Sequence, residues 1–178
     1  MVPQHTLANW KSRLHSSIPI LGPRQRRAAV REMLAQRNAP EVVPLLVEAL
    51  ASSDPDVRAV AEGALTTLTD QAAIDALCAA WHDTPSEKLL RLITGSSYAP
   101  SDSALAARIA LQMGDIQSCL RQDTSLTVLA DAFLRNDGGL QNTVRKMIAE
   151  GEPRLVGFLG TTVPFASLSE ADQRLGLD

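Results

Sequence analysis

The sequence predicts an all-α fold built from stacked helical pairs, and three observations carry that prediction. An apolar set recurs: Val43, Leu46, Val47 and Leu50 reappear 31 positions later as Ile74, Leu77, Cys78 and Trp81. Within each set the spacing is i, i+3, i+4, i+7, the buried stripe of an amphipathic helix. A period between about 20 and 50 residues marks a solenoid, in which each unit buries its apolar face against its neighbours. Aromatics make up only 3% of the 178 residues, which suits close helix-on-helix packing better than a sheet.

The elements follow in order. Leu7, Trp10 and Leu14 form a helical stripe, and Pro19, Gly22 and Pro23 then interrupt the chain, the pattern of an atypical capping unit. Arg24 to Arg37 reads as the second helix of the first pair, because Ala29, Val30, Met33 and Leu34 stand 31 places before Val60, Ala61, Ala64 and Leu65. Pro40 suits a first helical turn, where its missing N–H would have no partner, and Glu41 favours the positive end of the helix dipole. A helix over 40–51 is expected. Ser52, Ser53 and Asp54 break it, Asp54 caps the next helix, and Pro55 starts its first turn. That helix, over 55–68, carries Val57, Val60, Ala61, Ala64, Leu65 and Leu68 and closes an αα-hairpin.

A helix over 71–82 is in register, after which the offset slips to 32: Leu89, Leu92 and Ile93 answer Val57, Val60 and Ala61, ending at Gly95. Ser101 or Asp102 can cap a helix bearing Ala106, Ile109, Ala110 and Met113. Gly114 and Asp115 then end it and cap a short helix through Ile116, Cys119 and Leu120. Leu126, Leu129, Ala130 and Phe133 precede a turn at 136–139, and Leu140, Val144, Met147 and Ile148 follow it. The domain reading is one solenoid over 1–150, with its best-defined repeats at 40–69, 71–94 and 124–150. Residues 151–178 form a terminal cap, a loose tail or the start of something truncated.

Chemistry is mostly excluded by spacing. Net charge is −3 and the pI about 5.6, so no global basic field draws the chain to nucleic acid or anionic membranes. No apolar run approaches the roughly 20 residues of a membrane span, and the N-terminal stretch lacks a secretory segment. Cys78 and Cys119 fall on separate helices without metal-type spacing, which reads as two buried thiols in a reducing, cytoplasmic setting. His5, His15 and His82 are scattered, Gly138-Gly139 lacks the Lys-Ser/Thr of a phosphate loop, and no Ser sits in G-x-S-x-G. Asp54, Asp56, Asp70 and Asp102 lie at helix starts, where capping explains them. Trp81 and Trp10 read as core. The expectation is therefore no catalytic residue, no cofactor and no metal.

The stretch PEVVPLLVEALASSDPDVRAVAEGALTTL, residues 40–68, resembles a HEAT repeat of the short bacterial type found with phycobilin lyases. The resemblance implies a right-handed α-solenoid whose second helices line its concave surface, with Asp54 or Asp56 and Arg58 in a structural ladder between units. In the following unit the Asp54-to-Arg58 turn is replaced by Asp83-Thr84-Pro85-Ser86-Glu87, and in the last unit Gln141 stands where Arg58 would. The implied function is a non-catalytic adaptor or scaffold that binds a protein partner. Its candidate binding residues are Arg24, Arg27, Arg31, Arg58, Glu62, Thr66, Gln141 and Arg145, the first three on one face of an arginine cluster that includes Arg26. The alternative is a HEAT-like enzyme or accessory factor resembling a phycobilin lyase or an alkylpurine DNA glycosylase. A glycosylase calls for a concave face rich in lysine, arginine and aromatics, and this chain has 3 lysines. The groups of a lyase's tetrapyrrole pocket are not identifiable in the sequence.

Overall fold

Helix–turn–helix pairs fill the computed structural model, which describes residues 2–19 and 21–134; among them there is no strand. Two compact units divide the chain, Met1–Asp102 and Ser103–Asp178. The first holds three helical pairs: α1 (Gln4–Leu14) with α2 (Leu21–Ala35), α3 (Val43–Ala49) with α4 (Pro55–Leu65), and α5 (Gln71–Asp83) with α6 (Glu87–Gly95). Ala29, Val30, Met33, Leu46, Val57, Ala61, Leu65, Leu77 and Cys78 are fully buried, so the 31-residue register is the register of the core. The first unit is thus the expected all-α array of stacked helical pairs.

Local chemistry sets each boundary. Asp54 accepts from Asp56 N, Asp70 from Ala72 N and Ala73 N, and Ser86 from Leu89 N, each satisfying a first-turn donor that the helix leaves free. The helix expected over 40–51 is shorter and begins differently. Pro40–Val42 is a 3-10 turn and α3 starts only at Val43, because Pro44 has no N–H to bond back to the Pro40 carbonyl; Val43 N takes that carbonyl instead. Gly22, near the start of α2, is required by close approach: a Cβ there would lie 2.7 Å from the Ser16 carbonyl oxygen. Leu34, expected in the stripe, is 36% exposed.

Neighbouring pairs are joined in two ways. On the helix side, α3 packs along α5 and α2 along α4. There Arg27 donates from Nε to Asp54 Oδ2 at 2.8 Å, and its Nη1 lies 3.2 Å from Asp56 Oδ2. This is the inter-repeat ladder, but its arginine is Arg27 of the preceding unit. Arg58, assigned to the ladder by resemblance, donates instead to the Ser52 carbonyl at 2.7 Å within its own turn. On the loop side, Thr69 N donates to Asn38 Oδ1 at 2.9 Å while Asn38 Nδ2 donates to Thr69 Oγ1 at 2.8 Å. One joint later, Leu68 N donates to Tyr98 Oη at 2.7 Å; within the third pair, Ser101 donates from N and Oγ to Asp75.

The second unit opens with α7 (Ser103–Gln112), α8 (Ile116–Gln122) and α9 (Thr127–Leu134), packed through Ala107, Leu111, Cys119, Leu126 and Leu129. Gly114 ends α7 at φ +75°, a conformation glycine adopts without Cβ strain, and Asp115 then caps α8. Met113, expected in the α7 stripe, therefore lies beyond the helix end and is 55% exposed. Buried Asp123 accepts from Thr127, Val128 and Leu129 N, starting α9. The hairpin expected over 124–150 is described only in this first helix. Its second helix and residues 151–178 lie outside the described residues.

Two predictions follow from these contacts. Arg27 holds the Asp54 carboxyl below the usual carboxylate range, so folding favours its ionised form. The stability it contributes is complete above about pH 4, the unfolded value, and is lost as pH falls through the lower folded value. Asp54→Asn keeps the cap and loses the charge, and should flatten the dependence of Tm on pH below about 4; Asp54→Ala should cost about 1 kcal/mol more than Asp54→Asn in urea melts. Gly63→Ala, in an exposed position of α4 with open space around the added Cβ, should stabilise by roughly 0.5–1 kcal/mol, whereas Gly114→Ala should destabilise by about 1–2 kcal/mol.

Candidate functional site

The structure divides the arginine cluster by task. Arg27 is committed to Asp54 and Asp56, and Arg26 turns the other way to donate to the Ser16 carbonyl at 2.6 Å. Glu32 does not neutralise the cluster: it binds Arg13 at 2.8 and 2.9 Å and accepts from the Trp10 indole at 2.8 Å, and these bonds hold its carboxyl below the usual range. Arg24 and Arg31 are exposed and have no hydrogen bond or ion pair among the described residues. They are the cations left available on α2.

Along α4, Arg58, Glu62 and Thr66 follow one another at i, i+4, i+8 and share a face. Arg31 stands 31 places before Glu62, so it occupies the equivalent position on α2. The next second helix departs from this order. α6 packs chiefly on α5, with no packing against α4 comparable to that between α2 and α4. A groove of about 760 Å³ opens in the gap, lined by Glu62 and Thr66 on one side and Glu87, Lys88, Arg91, Leu92, Gly95 and Ser96 on the other. Lys88 Nζ reaches Glu62 Oε2 at 3.4 Å across it, and Arg91 pairs with Glu87 along α6.

The cause of the gap is legible in the caps. Asp54 and Ser86 are the caps of α4 and α6, 32 residues apart, so Asp56 corresponds to Lys88. The two carboxylates that tie α4 to α2 are absent from α6, one of them replaced by a cation. The α6 wall, Lys88, Arg91 and Leu92, was not among the residues expected from sequence. The slip of register from 31 to 32 at this turn is the signal that points to it. Gln141 and Arg145 lie outside the described residues.

Other candidate chemistries find little here. Trp81 is 4% and Trp10 5% exposed, so both are core residues and neither is a surface anchor. Cys78 and Cys119 are free and buried, and burial pushes their thiols up to about 12 and about 11, away from the thiolate form that nucleophilic attack requires. Among the described residues no group of three or more His, Cys, Asp or Glu is placed to hold a metal, and no helix is long and apolar enough to cross a membrane.

The family of HEAT repeats matches residues 22–97, a span that begins in α2 and ends just after α6. No curated protein and no solved structure matches the chain. The matched span holds the 31-residue register, the Arg27 ladder and the groove, and HEAT repeats generally mediate protein–protein interaction. With the resemblance of residues 40–68 and the helical pairs stacked on them, this identifies residues 22–97 as a stretch of HEAT repeats.

Proposed function

We propose that the protein is a non-catalytic interaction module, an adaptor or scaffold that binds a protein partner through the face formed by its second helices. The observation that carries this reading is the groove between α4 and α6, open where the ladder lapses and aligned by register with Arg31 on α2. Its walls combine an apolar floor at Leu92 with charged and hydroxyl groups at the rim, the mixture that suits a protein surface. A stacked array offers such a surface as a preformed shape, so binding need not order a flexible loop. The buried thiols fit a reducing compartment, and we place the protein in the cytoplasm.

The test is site-directed photo-crosslinking in native lysate. A benzophenone side chain at Thr66, in the groove, should give a discrete protein adduct that survives nuclease treatment. The same group at Ala79, exposed on α5, should give none. Adducts at Ala79 alone, or loss of the Thr66 adduct with nuclease, would overturn the reading. Arg31→Glu should weaken capture at Thr66 about tenfold without lowering Tm, since Arg31 has no structural partner among the described residues. Arg27→Glu is a poorer probe because it also breaks the ladder.

A further inference from the structure

A lid needs a fixed side, a free side and a weak closure, and the third helical pair has all three. Its fixed side is α5, which packs along α3 and the Pro40–Val42 turn and buries Leu77, Cys78 and Trp81. Just after α6, Tyr98 Oη accepts from Leu68 N at 2.7 Å and pins the chain on the loop side. The free side is α6. Its one apolar seam is Leu89, Leu92 and Ile93, and it packs on α5 less extensively than α2 packs on α1 or α4 on α3. The opposite flank of α6 faces the groove of about 760 Å³. Few packed neighbours and an open flank mark an element that moves before the rest of the fold does.

The ties across the two joints differ in kind. At the first, Arg27 spans Asp54 and Asp56 at 2.8 and 3.2 Å, and the Asp54 carboxylate is buried, so solvent ions screen that bond little. At the second, Ser86 and Lys88 stand in the positions of the two acids, and Arg58, in the position of Arg27, donates to the Ser52 carbonyl within its own turn. Among the described residues the ion pair that crosses from α4 to α6 is Glu62 with Lys88, at 3.4 Å with both side chains about half exposed, and water and salt weaken such a pair. Arg91 and Glu87 pair along α6 and do not cross. The ends of the helix supply pivots. Thr84 leaves helical geometry at φ −137° before Pro85 and the Ser86 cap, and beyond Gly95 the chain turns at Ser97, with φ 55°. Element ends of this kind absorb the dihedral change of a swinging helix.

We propose that α6 is a hinged lid, swinging on its seam with α5 about the turns 84–86 and 95–97 to widen and narrow the α4–α6 groove, with the Lys88–Glu62 pair as its latch. Salt, which screens the latch, opens the lid, while the first joint, fastened by Arg27, holds still. The swing is a property of this chain alone and needs no bound partner.

Pulsed electron-spin distance measurements on the full chain test the proposal, with nitroxides on cysteines introduced at exposed positions: Thr66 and Arg91 across the second joint, Arg31 and Thr66 across the first. The native Cys78 and Cys119 are buried, which leaves the introduced thiols as the sites of labelling. The Thr66–Arg91 distance distribution should be at least twice as wide as the Arg31–Thr66 distribution. Glu62→Gln removes the latch from an exposed position and should lengthen the mean Thr66–Arg91 distance. Added salt should lengthen that distance in the parent chain and do little more in the variant. Ser86→Asp with Lys88→Asp gives Arg58 two carboxylates in the ladder positions; it should narrow the distribution to the width found across the first joint and raise Tm. Equal widths across the two joints, a Thr66–Arg91 distance that neither Glu62→Gln nor salt moves, or a folded double variant as wide as the parent would overturn the proposal. These distances report motion and the Thr66 adduct reports binding, so either reading can fail while the other stands.

Discussion

Asp54 performs two jobs with one buried carboxylate. One oxygen accepts from Asp56 N and starts α4, while the other accepts from Arg27 Nε and fastens α4 to α2. The charge is only 5% exposed in its side chain, so it depends on both bonds to remain ionised in a place of low solvation. Coupling a cap to a ladder ties the start of one helix to the position of the preceding one. The packing of α2 along α4, and through it the alignment of their outward faces, follows from that coupling.

The second joint shows what the coupling normally prevents. Ser86 can still cap α6, so the helix forms, but a hydroxyl brings no charge to bind Arg58. On the loop side the stitching is intact: Asn38 and Thr69 bond reciprocally at the first joint, and Tyr98 reaches Leu68 at the second. The third pair is thus held along one margin and released along the other. A groove on the second-helix side is the geometric result.

Much of this was legible in the sequence because burial in helices imposes a period. Val43 to Leu50 and their counterparts at Ile74 to Trp81 announced the stripes, and Asp54, Asp70 and Asp115 announced the caps, since each is a local preference of a few adjacent residues. The partner of an arginine is not local. Arg27 and Arg58 occupy equivalent positions, and nothing in either one's neighbours says that the first reaches across to the next unit while the second folds onto Ser52. The wall contributed by α6 was missed for the same reason, because Lys88 gains meaning only when the caps of α4 and α6 are superimposed. Met113 misled through a boundary: two residues beyond Gln112, a left-handed glycine turns the chain and the stripe no longer applies.

Placing the acids at the turn and the arginine two positions beyond the second of them in the helix, as in Asp54 to Arg58, makes the unit self-similar. Each copy carries a socket for the copy before it and a plug for the copy after it. Lengthening such an array by duplicating residues 40–70, one full period, therefore needs no change in any neighbour, because the inserted copy brings both halves of its own links. Substitution of the acids by Ser86 and Lys88 gives the third unit a socketless boundary. In the language of polymer growth, it is a chain terminator for the ladder, and copies added beyond it would have to be joined by other means.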